Sequence, residues 1–322
     1  MLESAPFFED CADAPAGSKA YWLETRDGMR IRVAHFPLDE AKGTILMFPG
    51  RTEYVEKYGR AARDFAARGY AMVAIDWRGQ GLAERMTRNT RVGHVEAFSD
   101  YQHDVAATMD AVRALDLPKP YHLVAHSMGG AIGLRAVLEG LPVASAMFSA
   151  PMWGIHISAP MRPIAWALSW IGKTVGLGSL MAPGTSSASY VIAEPFEDNT
   201  LTTDPDMFAY MRRQIVTQPD LQLGGPTLQW LHEALAETQA LSRCQSPDLP
   251  CLTFLGGNER IVDADRIRAR MDTWDRGSLL ELPGLQHEVL MESPETRETI
   301  TDRAAAFFDA AAAQLGESRL TA

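Results

Sequence analysis

His122-Leu123-Val124-Ala125-His126-Ser127-Met128-Gly129-Gly130-Ala131-Ile132-Gly133 is the stretch that decides the fold. It opens as an apolar run of strand length, turns sharply at Ser127, and continues through small residues into a helical stretch reaching Glu139. A serine on a tight turn between strand and helix is a nucleophile elbow. The turn strains the serine backbone and lifts its hydroxyl above the carboxyl edge of a sheet. The residues two positions to either side must be small because strand and helix pass close there, and Ala125 and Gly129 meet that need. The helix N-terminus adds partial positive charge beside a reacting carbonyl.

Working outward, five further runs have the same character: Thr44–Phe48, Ala71–Ile75, Ala144–Phe148, Cys251–Leu255 and Leu279–Leu282. Each is apolar throughout rather than alternating, which suits parallel strands covered on both faces. Between them, Val55, Tyr58, Ala62, Phe65 and Ala66, then Phe98, Tyr101, Val105, Met109 and Val112, recur at helical spacing. Alternating strands and helices predict an α/β fold with a doubly wound, mostly parallel sheet. Met29–Phe36 alternates and reads as a half-exposed antiparallel edge strand. The rhythm breaks after Ala150. Residues 151–225 carry recurrent prolines and a Gly/Ser cluster with no core strand, and read as an inserted helical cap. Residues 1–150 and 226–322 then form the core, with a helix near Leu228–Leu241 and an alanine-rich terminal helix over Ala304–Leu315.

The chain has 322 residues, enough for a large core. With 30 Lys and Arg against 41 Asp and Glu, its net charge is −11. An acidic surface repels phosphate backbones, so no nucleic-acid partner is expected. Three cysteines make no disulfide framework or zinc spacing and suit a reducing compartment. The N-terminus has no basic start or apolar run of a signal peptide. Pro163–Gly172, the most apolar stretch, is half the length of a membrane span. The expected location is cytoplasmic, with peripheral contact at the inner face of the membrane left open, as is the oligomeric state.

A nucleophilic serine needs a base and an orienting acid, in the chain order serine, acid, histidine for an elbow of this kind. Gly256-Gly257-Asn258-Glu259-Arg260-Ile261-Val262-Asp263 follows the Cys251 strand, and Pro283-Gly284-Leu285-Gln286-His287-Glu288 follows the Leu279 strand. Ser127, Glu259 and His287 are therefore the candidate catalytic residues, with Asp263 as the alternative acid. His126 reads as structural. Met47-Phe48-Pro49-Gly50-Arg51-Thr52-Glu53 ends the first core strand, and its loop should supply one oxyanion-hole amide, at Arg51. The residue after the nucleophile, Met128, supplies the other. The Arg51 side chain reads as holding its loop through Glu53 or meeting an anionic head group, the first being favoured. Asp76-Trp77-Arg78-Gly79-Gln80-Gly81 reads as a braced loop.

At these residues the chain resembles the α/β-hydrolases, and within them the bacterial lysophospholipase and monoacylglycerol lipase branch. The resemblance runs from about Tyr21 to Phe308. It rests on Pro49–Glu53, Asp76–Leu82, Ala125–Gly130, His287–Glu292 and the cap segment Asn199-Thr200-Leu201-Thr202-Thr203-Asp204-Pro205. Monoacylglycerol lipases usually carry His-Gly at Pro49-Gly50 and Gly at Ala125; both departures resemble the lysophospholipase side. They usually place Asp where Glu259 stands. The resemblance implies no cofactor, no catalytic metal and an ester substrate with one acyl chain: a lysophospholipid or monoacylglycerol, hydrolysed through an acyl-enzyme. The alternatives are an esterase, thioesterase or amidase for a small soluble substrate, or a low-turnover ligand-binding protein. In the cap, Met161, Ile164, Trp166, Leu168, Trp170 and Ile171 form an apolar stretch. Trp166 and Trp170 are its candidate substrate-binding residues, on a lid helix that lines an acyl tunnel or dips into a lipid surface. The equal alternative is that this stretch packs the cap onto the core.

Overall fold

The computed structural model describes residues 2–320. Its nine strands are β1 (Glu3–Ala5), β2 (Lys19–Glu24), β3 (Arg30–Phe36), β4 (Gly43–Phe48), β5 (Tyr70–Asp76), β6 (Tyr121–His126), β7 (Ser145–Ser149), β8 (Cys251–Gly256) and β9 (Gly277–Leu282). They form one sheet in the order β1-β2-β3-β5-β4-β6-β7-β8-β9. The pairings from β5 through β9 are parallel, and those joining β1, β2, β3 and β5 are antiparallel.

The uninterrupted apolar runs are explained by two cores, one on each face. Alternate residues of a strand point to opposite sides. Leu46 and Phe48, Leu123 and Ala125, and Ala146 and Phe148 pack on one face, beneath helices Tyr101–Ala114, Met128–Leu138 and Leu228–Leu241. Ile45 and Met47, Val124, Met147 and Phe254 pack on the other, beneath helices Gly59–Ala66 and Pro294–Leu320.

The Met29–Phe36 expectation needs correction. β3 is antiparallel, but it lies between β2 and β5 rather than at the edge. Part of its apparent polarity comes from Arg32, which is fully buried. The Arg32 guanidinium donates Nε to Asp76 at 2.7 Å and both terminal nitrogens to Glu56 at 2.8 Å. A buried charge is tolerated when paired and hydrogen-bonded in this way. The two outer strands come from an N-terminal stretch whose short, mixed sequence carries little periodicity.

Between β7 and helix Leu228–Leu241 the chain adds no strand to the sheet. It forms helices Met161–Thr174, Tyr190–Ala193 and Pro205–Thr217. Pro205 at the first helical position and Asp204 accepting from the Met207 amide start the last of these.

Candidate active site

The register of the parallel strands brings the functional loops to one edge. Phe48 lies opposite Ala125, His126 opposite Ser149, Ser149 opposite Phe254, and Gly256 opposite Leu282. The chain leaving each of these strands therefore emerges above the same rim.

Ser127 sits at the turn between β6 and helix Met128–Leu138 with φ 50° and ψ −118°. A non-glycine residue is held in that region only when its surroundings overdetermine it. Here the Ser127 amide donates to Ser149 at 3.1 Å, and its carbonyl accepts from Gly130 and Met152, both at 2.8 Å. The close passage is real: a Cβ on Gly129 would lie 2.1 Å from the Phe48 carbonyl oxygen, and one on Gly50 would lie 3.1 Å from the Ser127 Cβ. The Ser127 hydroxyl has no hydrogen-bond partner among the described residues and faces the same cavity as His287.

His287 is buried on the loop after β9. Its Nδ1–H donates to Glu259 Oε2 at 2.7 Å. The other carboxylate oxygen of Glu259 accepts from the Ile261 and Val262 amides at 2.6 and 2.9 Å. Burial works against the Glu259 charge, but the His287 charge, its hydrogen bond and these two amides hold the carboxyl below its usual range. Burial likewise opposes an imidazolium at His287, yet Glu259, Glu288 and Glu53 raise its pKa above the ordinary 6.5. Asp263, the alternative acid, is engaged elsewhere: it caps helix Ala264–Met271 and pairs with Arg162 at 3.2 Å.

The β4 loop is fastened from within. Glu53 accepts from the Gly50 amide, from Tyr58 Oη at 2.6 Å and from Lys57 Nζ at 2.6 Å. Lys57 also bonds Glu288, the neighbour of His287. Burial opposes the Glu53 charge, but Lys57 and His126 hold its pKa down at about 2. Glu53, His126 and Glu288 bring metal-capable atoms within 4.8 Å of one another, and the Lys57 ammonium already bridges the two carboxylates. His126 is structural in its contacts. Its Nδ1–H donates to the Ser149 carbonyl at 3.0 Å, and its ring stands 4.7 Å from that of His287. Burial pushes its pKa down to about 3, so the ring is neutral. The Glu53/Lys57 spacing of four was a legible signal for this network, whereas its closure onto Glu288 was not.

Among the described residues the Arg51 and Met128 amides find no acceptor, which leaves both free for an oxyanion. The Arg51 side chain does not bond Glu53. Its Nη1 donates to the Gly224 carbonyl at 2.6 Å.

Ser127, Met128, His287 and Arg51 line a cavity of about 300 Å³ whose remaining wall is mainly apolar, including Met152, Ile155, Leu201, Met211, Ile215 and Val262. Trp166 and Trp170 are outside that lining. Helix Met161–Thr174 turns Ser169 and Gly172 inward, where a Cβ on Gly172 would come within 2.6 Å of Leu228. Its aromatic side is thereby directed elsewhere. Trp166 packs edge-on against His232 at 5.7 Å, and Trp170 is 56% exposed.

A different part of residues 151–225 reaches the site. The Thr200 and Leu201 carbonyls accept from the His287 and Glu288 amides at 3.3 and 2.8 Å. Thr203 bonds Glu292 through both its amide and its hydroxyl. The Asn199–Pro205 segment, a sequence marker with no role read into it, is thus the clamp on the histidine loop.

Residues 39–294 match the family model described as serine aminopeptidase, S33. Lysophospholipase L2 of Escherichia coli K12 is 29% identical over 293 residues, covering 88% of this chain and 85% of that protein. A probable lysophospholipase L2 of Haemophilus influenzae is 26% identical over 306 residues, covering 93% of each. Among solved structures, a soluble variant of the Saccharomyces cerevisiae monoglyceride lipase, crystallised with a substrate analogue, superposes with a TM-score of 0.70 at 19% identity. That match covers 90% of this chain and 94% of the other. A carboxyl esterase of Bacillus coagulans gives 0.72 at 14% identity, covering 91% and 98%. The architecture is the α/β-hydrolase fold.

Proposed function

We propose, for a chain that belongs to the serine aminopeptidase S33 family, that it is a serine esterase acting on a lipid-like ester with a single acyl chain, a lysophospholipid or monoacylglycerol. One observation carries the reading. A strained, unpartnered serine hydroxyl opens into the same apolar cavity as a buried histidine whose far nitrogen is held by a carboxylate. The names of the bacterial lysophospholipase relatives and the apolar wall support the choice of a lipid ester.

His287 takes the Ser127 proton as the hydroxyl oxygen attacks the ester carbonyl. The Met128 and Arg51 amides receive the oxyanion, and Glu259 keeps Nδ1 protonated and stabilises the imidazolium. His287 then gives its proton to the departing alcohol, leaving an acyl-enzyme. Water, deprotonated by His287, releases the acid and restores Ser127. Residues 151–225 act as the cap over this site, on a core of residues 1–150 and 226–322. No helix among the described residues is long and apolar enough to cross a membrane. The exposed apolar side of helix Met161–Thr174 is the surface by which the protein meets aggregated lipid.

The test is Ser127→Ala, with hydrolysis of p-nitrophenyl esters and fluorophosphonate labelling as readouts. Turnover is expected to fall by about 10³ or more with the thermal transition retained, and labelling to vanish. Retained turnover or labelling at another residue would reject the assignment.

A further inference from the structure

The reaction above employs the amide of Arg51 and leaves its guanidinium unexplained. That group lines the catalytic cavity. Only Nη1 has a protein acceptor, the Gly224 carbonyl, and the guanidinium stands over the Trp230 ring at 5.5 Å. Its Nε and Nη2 donate to no protein group, and no carboxylate among the described residues pairs with it. The other cation on the cavity wall, Lys57, bridges Glu53 and Glu288. The fully buried guanidinia of Arg32 and Arg78 are matched by carboxylates, Arg32 by Asp76 and Glu56 and Arg78 by Asp27 and Asp104. Arg270 is held like Arg51 by carbonyls, those of Leu241 and Cys244, but it stands outside the catalytic cavity. Burial pushes the Arg51 pKa down to about 10, with only the Tyr101 hydroxyl opposing, so the side chain stays charged in an enclosure that disfavours charge. The sequence carries 41 acidic residues, and none among the described ones pairs with it.

We infer that the Arg51 guanidinium binds the phosphate of the substrate's head group and so makes the enzyme selective for lysophospholipids over neutral monoacylglycerols. The inference rests on the ester-hydrolase reading above. A guanidinium offers planar paired donors that match two phosphate oxygens, and the bond strengthens where water is excluded. Position agrees with chemistry. The same residue gives its amide to the ester oxyanion in the proposed reaction, which puts its guanidinium within one side chain's length of the ester carbonyl. A neutral glycerol would leave the cation facing a hydroxyl. A phosphate would neutralise it.

Two measurements test this on the full chain, with Arg51→Gln and Arg51→Lys beside the wild type. The first is the ratio of kcat/KM for 1-oleoyl-lysophosphatidylglycerol to that for 1-oleoylglycerol, in the same mixed micelles. The wild type is expected to favour the phosphate ester. Arg51→Gln should lower the ratio by about tenfold or more, and Arg51→Lys, which keeps the charge but loses the paired donors, should fall between Arg51→Gln and the wild type. Equal losses on both esters, as expected if the side chain only tethers Gly224, or an unchanged ratio, overturn the inference. The second is calorimetric binding of two uncleavable ethers, 1-O-octylglycero-3-phosphate and 1-O-octylglycerol. This reads the anion site even if the wild type cleaves neither ester, an outcome that would sink the esterase reading alone. The phosphate ether should bind more tightly to the wild type, and that margin should shrink about tenfold in Arg51→Gln. Absence of a margin in the wild type overturns the inference. So does displacement of the phosphate ether by inorganic phosphate at equal concentration, since the site would then serve a free anion.

Discussion

The stretch between β7 and helix Leu228–Leu241 has two halves of opposite character. Residues 190–217 are locked down. Asn199 satisfies four backbone partners within its own turn, Thr202 reaches the Met291 carbonyl, Thr203 grips Glu292, and Tyr210, Met211 and Ile215 are buried. Among the described residues, 161–181 hold nine of the eleven exposed large hydrophobic side chains, among them Ile164, Trp170 and Ile171. Their inward contacts include small residues, Trp166 on His232, and two ion pairs, Lys173 to Glu233 at 2.5 Å and Arg162 to Asp263 at 3.2 Å. Both halves are apolar in sequence, so composition does not separate them. What separates them is whether the apolar face meets another part of the chain. The locked half completes the histidine loop, whereas the other half presents unpaired surface in a contiguous patch of the kind that marks an interaction site.

The contrast can be broken most strongly at Asn199. Asn199→Ala strands the Leu201 and Thr202 amides and the Thr202 carbonyl, leaving the Phe196 carbonyl its bond from the residue-199 amide, and loosens the backbone that holds His287 and Glu288. A loss of about 2–4 kcal/mol in stability is expected from the unpaired groups. A fall of about tenfold or more in kcat/KM should accompany it, read by denaturant melts and ester hydrolysis. Unaltered turnover would show that the clamp does not position the histidine.

Glu288→Gln probes the same half more gently. A neutral His287 is the active base, so activity is lost as pH falls through its raised pKa. Removing a negative neighbour lowers that pKa. The acid limb of the kcat/KM profile should move to lower pH by about half a unit. A shift to higher pH would contradict the charge assignment of the Lys57 network.

The smallest effect on the isolated enzyme is expected in the exposed half. Ile164→Ser combined with Trp170→Ser removes side chains that pack on little, so stability should change by about 0.5 kcal/mol or less. Hydrolysis of a soluble short ester should stay within about twofold, while partition onto lipid vesicles, followed by sedimentation, falls about tenfold or more. Unaltered partition would remove this helix as the lipid-facing element.

Much of the core was readable because its signals are local. An apolar run six residues long between turn signals reads as a buried strand, and Ser127 between such a run and a helix announces an elbow wherever it occurs. The strand-end loops carrying Glu259 and His287 followed from the same rhythm. The stretch between β7 and helix Leu228–Leu241 was less readable. Helical periodicity located Met161–Thr174 but was silent on which side faces inward, because Trp166 and Trp170 look as suited to a pocket as to a surface. Gly172 decided it, through the closeness of Leu228, and that is a property of two segments at once.

By itself, then, the amino-acid order determined the doubly wound sheet, the elbow and the sequence of serine, carboxylate and histidine, since each depends on periodicity or turn chemistry within a few residues. Tertiary structure alone decided that Glu259 rather than Asp263 meets His287, that β3 lies inside the sheet with Arg32 neutralised, and that Arg51 stands without a carboxylate. Each of these turns on the distance between charged or polar groups far apart along the chain. Coulomb and hydrogen-bond energies depend on that separation in space, which spacing along the chain does not encode.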